Sequence, residues 1–245
     1  MKAGVVKVVA IDGPAGSGKS TVARGLAAAL DLPTLDTGAM YRATALAALE
    51  AGIDLDDADA VAAVARTADI DVERGVTTLD GTDVSDEIRG PRVTGAVSQV
   101  SSHPPVRAVL VERQRAWVER HGGGVVEGRD IGTVVLPDAP LKVFITARDE
   151  VRAARRQRDE AAAQRAVEAA AVRDALNQRD RADGTLGRAT RPEDAASDAV
   201  IVDTSDVTAD EVITDLVARA RAIFSGVGGS GVGGSGVGGS GVGGR

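Results

Sequence analysis

The apolar residues of this chain fall into short runs that alternate with longer stretches of helical spacing. Five of the runs are rich in Val, Leu or Ile and are followed by polar turns, as expected of buried strands. These runs are residues 5–11, 32–36, 124–127, 141–146 and 199–203. Because strand and helix patterns alternate along the chain, the sequence predicts an α/β domain.

Helical spacing also predicts the first and last helices of this domain. After residue 20, Val22, Leu26 and Leu30 lie on one helical face. Near the other end, Thr208 and Glu211 form a capping box, in which the two side chains satisfy each other's backbone N–H groups. The final helix is therefore predicted over residues 209–224.

Two segments interrupt the alternation. Within about residues 65–92, two β-like runs at 70–73 and 76–79 are followed by Asp80-Gly81, a dipeptide typical of hairpin turns, so we expect a small β insertion. The segment from about 150 to 191 is instead dense in arginines and acidic residues, with little to bury. It predicts either an ordinary pair of exposed helices or a mobile, arginine-bearing lid.

The most informative motif lies between the first strand and the first helix. Residues 13–20 read GPAGSGKS and match the P-loop pattern G-x-x-x-x-G-K-[ST], in which glycines let backbone N–H groups turn inward toward phosphates. Lys19 would contact the β- and γ-phosphates, and the Ser20 hydroxyl suits a Mg²⁺ ligand. The alternative is a plain glycine turn. The candidate ATP-binding residues are Gly13, Pro14, Ala15, Gly16, Ser17, Gly18, Lys19, Ser20 and Thr21.

Composition narrows the possible chemistry. The 245-residue chain is 43% hydrophobic but only 2% aromatic, so its core must consist of Val, Leu, Ile and Ala. It has no cysteine and only two histidines, which excludes a disulfide framework and a cysteine or histidine metal cluster. A net charge of −7 argues against general nucleic-acid binding. No apolar run approaches transmembrane length, and the P-loop comes too early for a signal peptide, so we expect no membrane partner and a cytoplasmic location.

ATPases, GTPases and small-molecule kinases share the P-loop, so the acceptor side must distinguish them. The chain lacks the guanine-reading N-K-x-D of GTPases and the four apolar residues plus Asp-Glu of motor and ABC-type ATPases. Residues 35–42, LDTGAMYR, resemble the D-[ST]-G-x-x-[YL]-R stretch of nucleoside monophosphate kinases. This resemblance implies that Asp36 and Thr37 position the acceptor and that Arg42 binds its phosphate. The alternative for Arg42 is a surface position on a helix.

Further stretches are similar to one branch of these kinases, the bacterial cytidylate kinases. The most specific is EGRDIGTVV at residues 127–135. The resemblance covers residues 5 to about 183 and 198–224, and it implies a P-loop NTPase fold with a parallel five-stranded sheet flanked by helices. It also implies that the β insertion binds the nucleoside monophosphate and that the arginine-rich segment is a helical lid. Other matching stretches are residues 83–89, 95–100, 105–107, 112–115 and 137–144.

In that family an Asp, an Arg and a Ser read cytosine, and here they fall on Asp130, Arg107 and Ser98. A carboxylate accepts from the exocyclic amine of cytosine, and an arginine donates to its ring acceptors. Uracil presents an acceptor in place of the amine, and an unpaired contact costs about 1–3 kcal/mol. For Ser98 the alternative is a plain helix hydroxyl. For Arg129 the alternatives are a phosphate contact and a salt bridge to Asp130 or Asp36.

The lid matches the family less well. Arg179 and Asp183 lie in RDRAD, which resembles the family's R-D-x-x-D, where the Arg contacts phosphate and the second Asp contacts the ribose. The next run departs in spacing, so Arg188 or Arg191 takes the place of the following phosphate-binding arginine, and Arg188 is preferred. The candidate catalytic residues are Lys19, Arg156, Arg179 and Arg188.

These features predict an enzyme of pyrimidine nucleotide metabolism, a monomeric phosphotransferase that moves the γ-phosphoryl group of ATP to CMP or dCMP, with Mg²⁺ arriving on the nucleotide. Small-molecule nucleotides are the expected partners. Two alternatives stay open: a kinase for UMP or AMP, and a non-catalytic nucleotide-binding module tethered by its tail. The kinase domain is predicted over residues 1–225. Residues 226–245 repeat GVGGS and predict a flexible tail, whether native, the remnant of a fusion or added for expression.

Overall fold

The structure, a computed structural model, describes residues 6–73, 75–162, 174 and 180–226. Its main sheet consists of β1 (Lys7–Asp12), β2 (Thr34–Asp36), β6 (Gly123–Glu127), β7 (Leu141–Thr146) and β8 (Val200–Asp203). The strands are all parallel and lie in the order β2-β6-β1-β7-β8. Each predicted core strand is confirmed, with ends that differ by no more than two residues.

Helices cover both faces of this sheet. Residues 180–185 are helical as well. In the described part of the chain, no helix combines the length and the apolarity that crossing a membrane requires. The other helices are α1 (Lys19–Leu30), α2 (Thr37–Glu50), α3 (Ala58–Thr67), α4 (Pro91–Ser102), α5 (Pro104–His121), α6 (Asp149–Ala162) and α7 (Ala209–Phe224).

The core is divided in two by the sheet, because successive side chains of a strand point to opposite faces. Val8 and Ala10 of β1 join the apolar cluster that includes α2 and α5. Val9 and Ile11 join the cluster formed with α1 and α7. The carboxyl ends of β1 and β2 lie at the edge of the sheet where α1 and α2 begin.

The predicted final helix and its capping box are both confirmed in α7. The Thr208 hydroxyl accepts from the Glu211 N–H at 3.3 Å, and the Glu211 carboxylate accepts from the Thr208 N–H at 2.8 Å. The two groups satisfy backbone donors at the start of the helix, where no intrahelical acceptor exists.

The β insertion is a separate antiparallel sheet of β3 (Ile70–Glu73), β4 (Val76–Leu79) and β5 (Thr82–Asp83). Asp80 and Gly81 connect β4 to β5 with φ angles of 49° and 79°. Two left-handed residues in a two-residue connection match the twist of a hairpin, so the predicted turn is confirmed. The sheet packs against α2 as part of the α2 and α5 side of the core.

Candidate active site

The carboxyl ends of β1, β2 and β6 meet at one edge of the sheet, where open α/β sheets bind ligands. There β1 runs into the P-loop, and α1 begins at Lys19. Gly13, Gly16 and Gly18 have φ angles of 143°, 74° and 94°, so the tight glycine turn expected from the motif is present. A Cβ at Gly13 would lie 2.0 Å from the carbonyl oxygen of Ile145, which leaves room only for glycine.

Lys19 is buried at the start of α1, and its Nζ donates to the Pro14 carbonyl oxygen at 2.7 Å. The bond keeps the ammonium folded over the P-loop. The N–H groups at the start of α1 and the positive end of the helix dipole face the same region. Cationic and N–H donors are therefore concentrated at this edge of the sheet, as binding of a polyphosphate requires.

Asp12, the last residue of β1, ties the P-loop strand to the loop after β6. Its buried carboxylate accepts from the backbone N–H groups of Ile131 at 2.7 Å and Gly132 at 2.8 Å. Burial raises the pKa of Asp12 to about 6, although both N–H groups lower it. Because Asp130 directly precedes these amides, the contact sets its position relative to the P-loop.

Glu127, the last residue of β6, is a second buried carboxyl at this edge. Burial and the nearby Asp36 carboxylate raise its pKa to about 7, while Lys19 and a hydrogen bond with Ser20 lower it. That hydrogen bond brings an acidic group beside the hydroxyl predicted to bind Mg²⁺. No role was predicted for Glu127, because its place at the end of an apolar strand does not distinguish it from an acid that merely follows a strand into a turn.

The raised pKa predicts that the stability of the ligand-free protein depends on pH through Glu127. Between pH 4.5 and about 7 the folded state keeps a proton that the unfolded state has lost, so stability falls as pH rises through this range. Above it, burying the ionised group costs on the order of 3 kcal/mol. We therefore expect Glu127→Gln to have a melting temperature about 5–10 °C above that of the wild type near pH 8.5, and to match it near pH 5.

Thermal unfolding of both proteins without nucleotide, followed by circular dichroism, measures this difference. The matched control is Glu119→Gln, which removes an exposed glutamate from α5 and should leave the pH profile unchanged. A difference in melting temperature between Glu127→Gln and the wild type that is the same at both pH values would contradict the prediction, because it would show that Glu127 does not titrate in the expected range.

Arg42 lies on α2 and is only 8% exposed. Its guanidinium donates to the Ile88 carbonyl oxygen at 2.8 Å and to the Thr94 hydroxyl at 3.0 Å. The alternative of a surface position on a helix is therefore wrong. A guanidinium held at a fixed buried position suits the predicted phosphate contact, which stays a prediction.

Asp36 and Thr37 connect the start of α2 to its surroundings. The Asp36 side chain caps α2 by accepting from the Ala39 N–H at 3.1 Å, and it lies 3.6 Å from the Arg89 guanidinium. The Thr37 hydroxyl donates to the Glu127 carbonyl oxygen at 2.8 Å. These bonds fix the position of α2 against β6, and their part in acceptor binding stays a prediction.

Two of the three residues predicted to read cytosine are in contact. Arg107 of α5 forms a close ion pair with Asp130, which follows β6. Both side chains are largely buried, and the pair presents an acceptor and donors from one place. Ser98 is half-buried on α4. The geometry brings Arg107 and Asp130 into contact, as joint reading of one base requires.

Arg129 contacts a different set of carboxylates from those expected. It lies 3.0 Å from Asp180 and 3.1 Å from Asp183, both in the helical segment 180–185. Within the described ranges it forms no salt bridge with Asp130 or Asp36, so that alternative is wrong. Those two acids pair instead with arginines of α5 and of the short turn that precedes α4.

Arg188 is buried, and it donates to Asp183 at 2.6 Å and to the backbone and hydroxyl oxygens of Ser101 at the end of α4. Arg191 is exposed. The preference for Arg188 over Arg191 as the phosphate-binding and catalytic arginine stays a prediction. Arg179 lies outside the described residues. The contact with Ser101 was missed, because only the fold brings α4 next to a residue so distant in the chain.

Two arginines of α6 contact the P-loop backbone. Arg152 donates to the Ala15 carbonyl oxygen at 3.0 Å, and Arg155 donates to the Ser17 carbonyl oxygen at 3.1 Å. Arg156, the predicted catalytic residue of this helix, is half-buried one turn after Arg152. Sequence reasoning missed Arg152, because a helix with several arginines does not reveal which side faces the P-loop.

Comparison with known proteins assigns this arrangement to a family. The sequence profile of the cytidylate kinase family matches residues 9–222 of this chain. The chain belongs to the cytidylate kinase family. It is 54% identical over 213 residues to the cytidylate kinase of Mycobacterium avium, which covers 85% of this chain and 92% of that protein. It is 50% identical over 219 residues to the cytidylate kinase of Corynebacterium efficiens, which covers 88% of this chain and 94% of that protein.

A more distant relative extends the match. The cytidylate kinase of Pelotomaculum thermopropionicum is 47% identical over 220 residues, covering 87% of this chain and 96% of that protein. All these matches span almost the whole of each relative. The resemblance inferred from the P-loop, the acceptor stretch and EGRDIGTVV is therefore confirmed at the level of the family.

Proposed function

We propose that the protein transfers the γ-phosphoryl group of ATP to CMP and dCMP, forming ADP together with CDP or dCDP. One observation carries the proposal: a chain of the cytidylate kinase family has a P-loop and an Arg107–Asp130 pair at the same edge of one sheet. That the protein acts as a monomer is part of the proposal. A cytoplasmic location, as expected for pyrimidine nucleotide metabolism, is part of the proposal.

The donor side fits a magnesium nucleotide. Three left-handed glycines turn the loop, and Lys19 supplies a full positive charge for the β- and γ-phosphates. The Ser20 hydroxyl, beside the Glu127 carboxyl, supplies the oxygen ligands that Mg²⁺ prefers. When bound with ATP, Mg²⁺ would neutralise charge on the phosphate oxygens.

The acceptor side fits a pyrimidine monophosphate. Arg42 and Arg129 would hold its phosphate, and Asp183 would contact the ribose. Asp130 would accept from the exocyclic amine of cytosine while Arg107 donates to the ring acceptors. Arg188, paired with Asp183 at 2.6 Å, would position that carboxylate.

The chemistry requires alignment rather than a general base. The attacking oxygen of CMP is already anionic near neutral pH, so the bond to the γ-phosphorus forms as the bond to the β-phosphate oxygen breaks, and ADP leaves. The arginines neutralise charge on the transferring group. The lid over residues 150–191 would exclude water, and part of that prediction falls on residues 163–173 and 175–179, outside the described ranges.

An acceptor panel tests the proposal. Purified protein with ATP and Mg²⁺ is offered CMP, dCMP, UMP, AMP and dTMP in turn, and ADP formation is followed. We expect kcat/KM for CMP and dCMP to exceed that for the other acceptors by about tenfold or more, since one unpaired polar contact costs about 1–3 kcal/mol. Preference for UMP or AMP would support a different monophosphate kinase. Binding of ATP with no transfer to any acceptor would support the binding module.

A further inference from the structure

The Asp180 carboxylate lies where the donor and acceptor halves of the site meet. One of its oxygens accepts from the Ala15 N–H at 3.4 Å and from Arg129 at 3.0 Å. Ala15 belongs to the P-loop, and Arg129 belongs to the proposed acceptor-phosphate site. The Asp180 carboxylate therefore bridges the P-loop and the proposed acceptor-phosphate site.

Arg152 is the third group that holds this carboxylate. It donates to the other oxygen of Asp180 and to the Ala15 carbonyl oxygen, and its side chain is 7% exposed. Its Nε is buried and has no hydrogen-bond partner among the described residues. Burying a guanidinium is costly unless an anion compensates its charge. Asp180 supplies such an anion on the side of the P-loop, and the more exposed Asp149 pairs with Arg152 at 2.7 Å as well.

We propose that Arg152 is a further catalytic residue, which binds the transferring phosphoryl group, and that Asp180 holds that group's place until the nucleotides bind. This inference rests on the proposed kinase activity. A phosphoryl group carries anionic oxygens that accept from the same N–H and guanidinium donors as a carboxylate.

During transfer the bond between the γ-phosphorus and the ADP oxygen breaks while the bond to the CMP oxygen forms. Arg152 neutralises the oxygens of the transferring group and moves no proton. Asp180 leaves the position, because two anions cannot share it. The contact between Arg152 and the P-loop backbone keeps the guanidinium at the junction throughout.

Steady-state kinetics test the role of Arg152. Arg152→Met is expected to lower kcat for CMP about 100-fold, in the range found when one transition-state donor is removed. KM for CMP should change less than about threefold, since ground-state binding is retained. Added guanidinium ion should restore part of the lost kcat. The matched control is Arg158→Met, which alters an exposed arginine of the same helix and should leave kcat unchanged. An unchanged kcat in Arg152→Met, or a loss confined to KM, would overturn the assignment.

Binding of inorganic tripolyphosphate to the ligand-free protein tests whether Asp180 competes with a phosphate group for Arg152, and it requires no acceptor nucleotide. By calorimetry, Asp180→Asn should bind this anion about tenfold more tightly than the wild type, and adding Arg152→Met should abolish the gain. Asp149→Asn is the matched control, because Asp149 also pairs with Arg152 but is 59% exposed. Equal affinities of Asp180→Asn and wild type, or an equal gain in Asp149→Asn, would overturn the proposal.

The two experiments separate this inference from the proposed function. If the wild type phosphorylates CMP while Arg152→Met keeps its kcat, the inference fails and the function stands. If the wild type transfers to no acceptor, the function fails, and the tripolyphosphate measurement still decides whether Arg152 and Asp180 share an anion site.

Discussion

Replacing Lys19 by alanine is expected to lower kcat/KM for ATP by about 10³-fold, the largest effect of any single substitution in this site. Loss of one preorganised donor to transition-state charge costs about 10²–10³ in rate, and here the donor carries a full positive charge. The side chain is already folded over the P-loop through its bond to the Pro14 carbonyl oxygen, so little reorganisation precedes phosphate contact. Initial rates of ADP formation at varied ATP measure the effect.

Lys7→Ala is the control for this substitution. Lys7 is an exposed lysine at the start of β1, at the opposite end of the strand from the P-loop, so its loss should leave turnover unchanged. Circular dichroism establishes that both variants are folded. Wild-type turnover in Lys19→Ala would contradict the prediction, because it would show that Lys19 does not stabilise the transferring phosphoryl group.

The parts of the fold that the sequence predicted are those determined by local pattern. Apolar runs give the strands, because a strand buried on both faces excludes polar residues. The capping box marks the start of α7, and Asp80-Gly81 marks a hairpin, because each device works within four residues of chain. The P-loop was identified for the same reason, since its glycines, lysine and serine act within one turn.

The site contacts that could not be predicted depend on tertiary packing. For Arg129 we expected either a phosphate contact or a salt bridge to a nearby acidic residue. Its partners are instead Asp180 and Asp183, which lie in a helical segment some fifty residues later in the chain. Sequence carries no signal for that pairing. Likewise, only the orientation of α6 in the folded protein decides that Arg152 contacts the P-loop.

Buried acidic residues at the strand ends form a third class of residues, whose roles could not be predicted from the sequence. Asp12 and Glu127 each end an apolar strand, and no local motif separates them from acids that merely follow a strand into a turn. Only in the folded protein does Asp12 accept from two backbone N–H groups of the loop after β6. Through these bonds Asp12 positions Asp130. This role could not be predicted from the sequence, because it depends on where the loop lies in the folded protein.

Asparagine at position 130 is expected to shift the base preference from cytosine toward uracil. The Asp130 carboxylate only accepts hydrogen bonds, which suits the exocyclic amine of cytosine, whereas an asparagine amide can also donate to the uracil carbonyl. Each mismatched buried contact costs about 1–3 kcal/mol. We therefore expect kcat/KM for CMP to fall and that for UMP to rise, so that their ratio drops by about 100-fold or more.

The measurement is kcat/KM for CMP and for UMP with ATP and Mg²⁺, in the wild type and in Asp130→Asn. Asp138→Asn is the matched control, because Asp138 is an exposed aspartate in the same connection between β6 and β7. Arg107 keeps an acceptor in the variant, since the asparagine oxygen replaces one carboxylate oxygen of the ion pair. If CMP and UMP lose activity equally, Asp130 only supports Arg107, and base reading must be assigned to other residues.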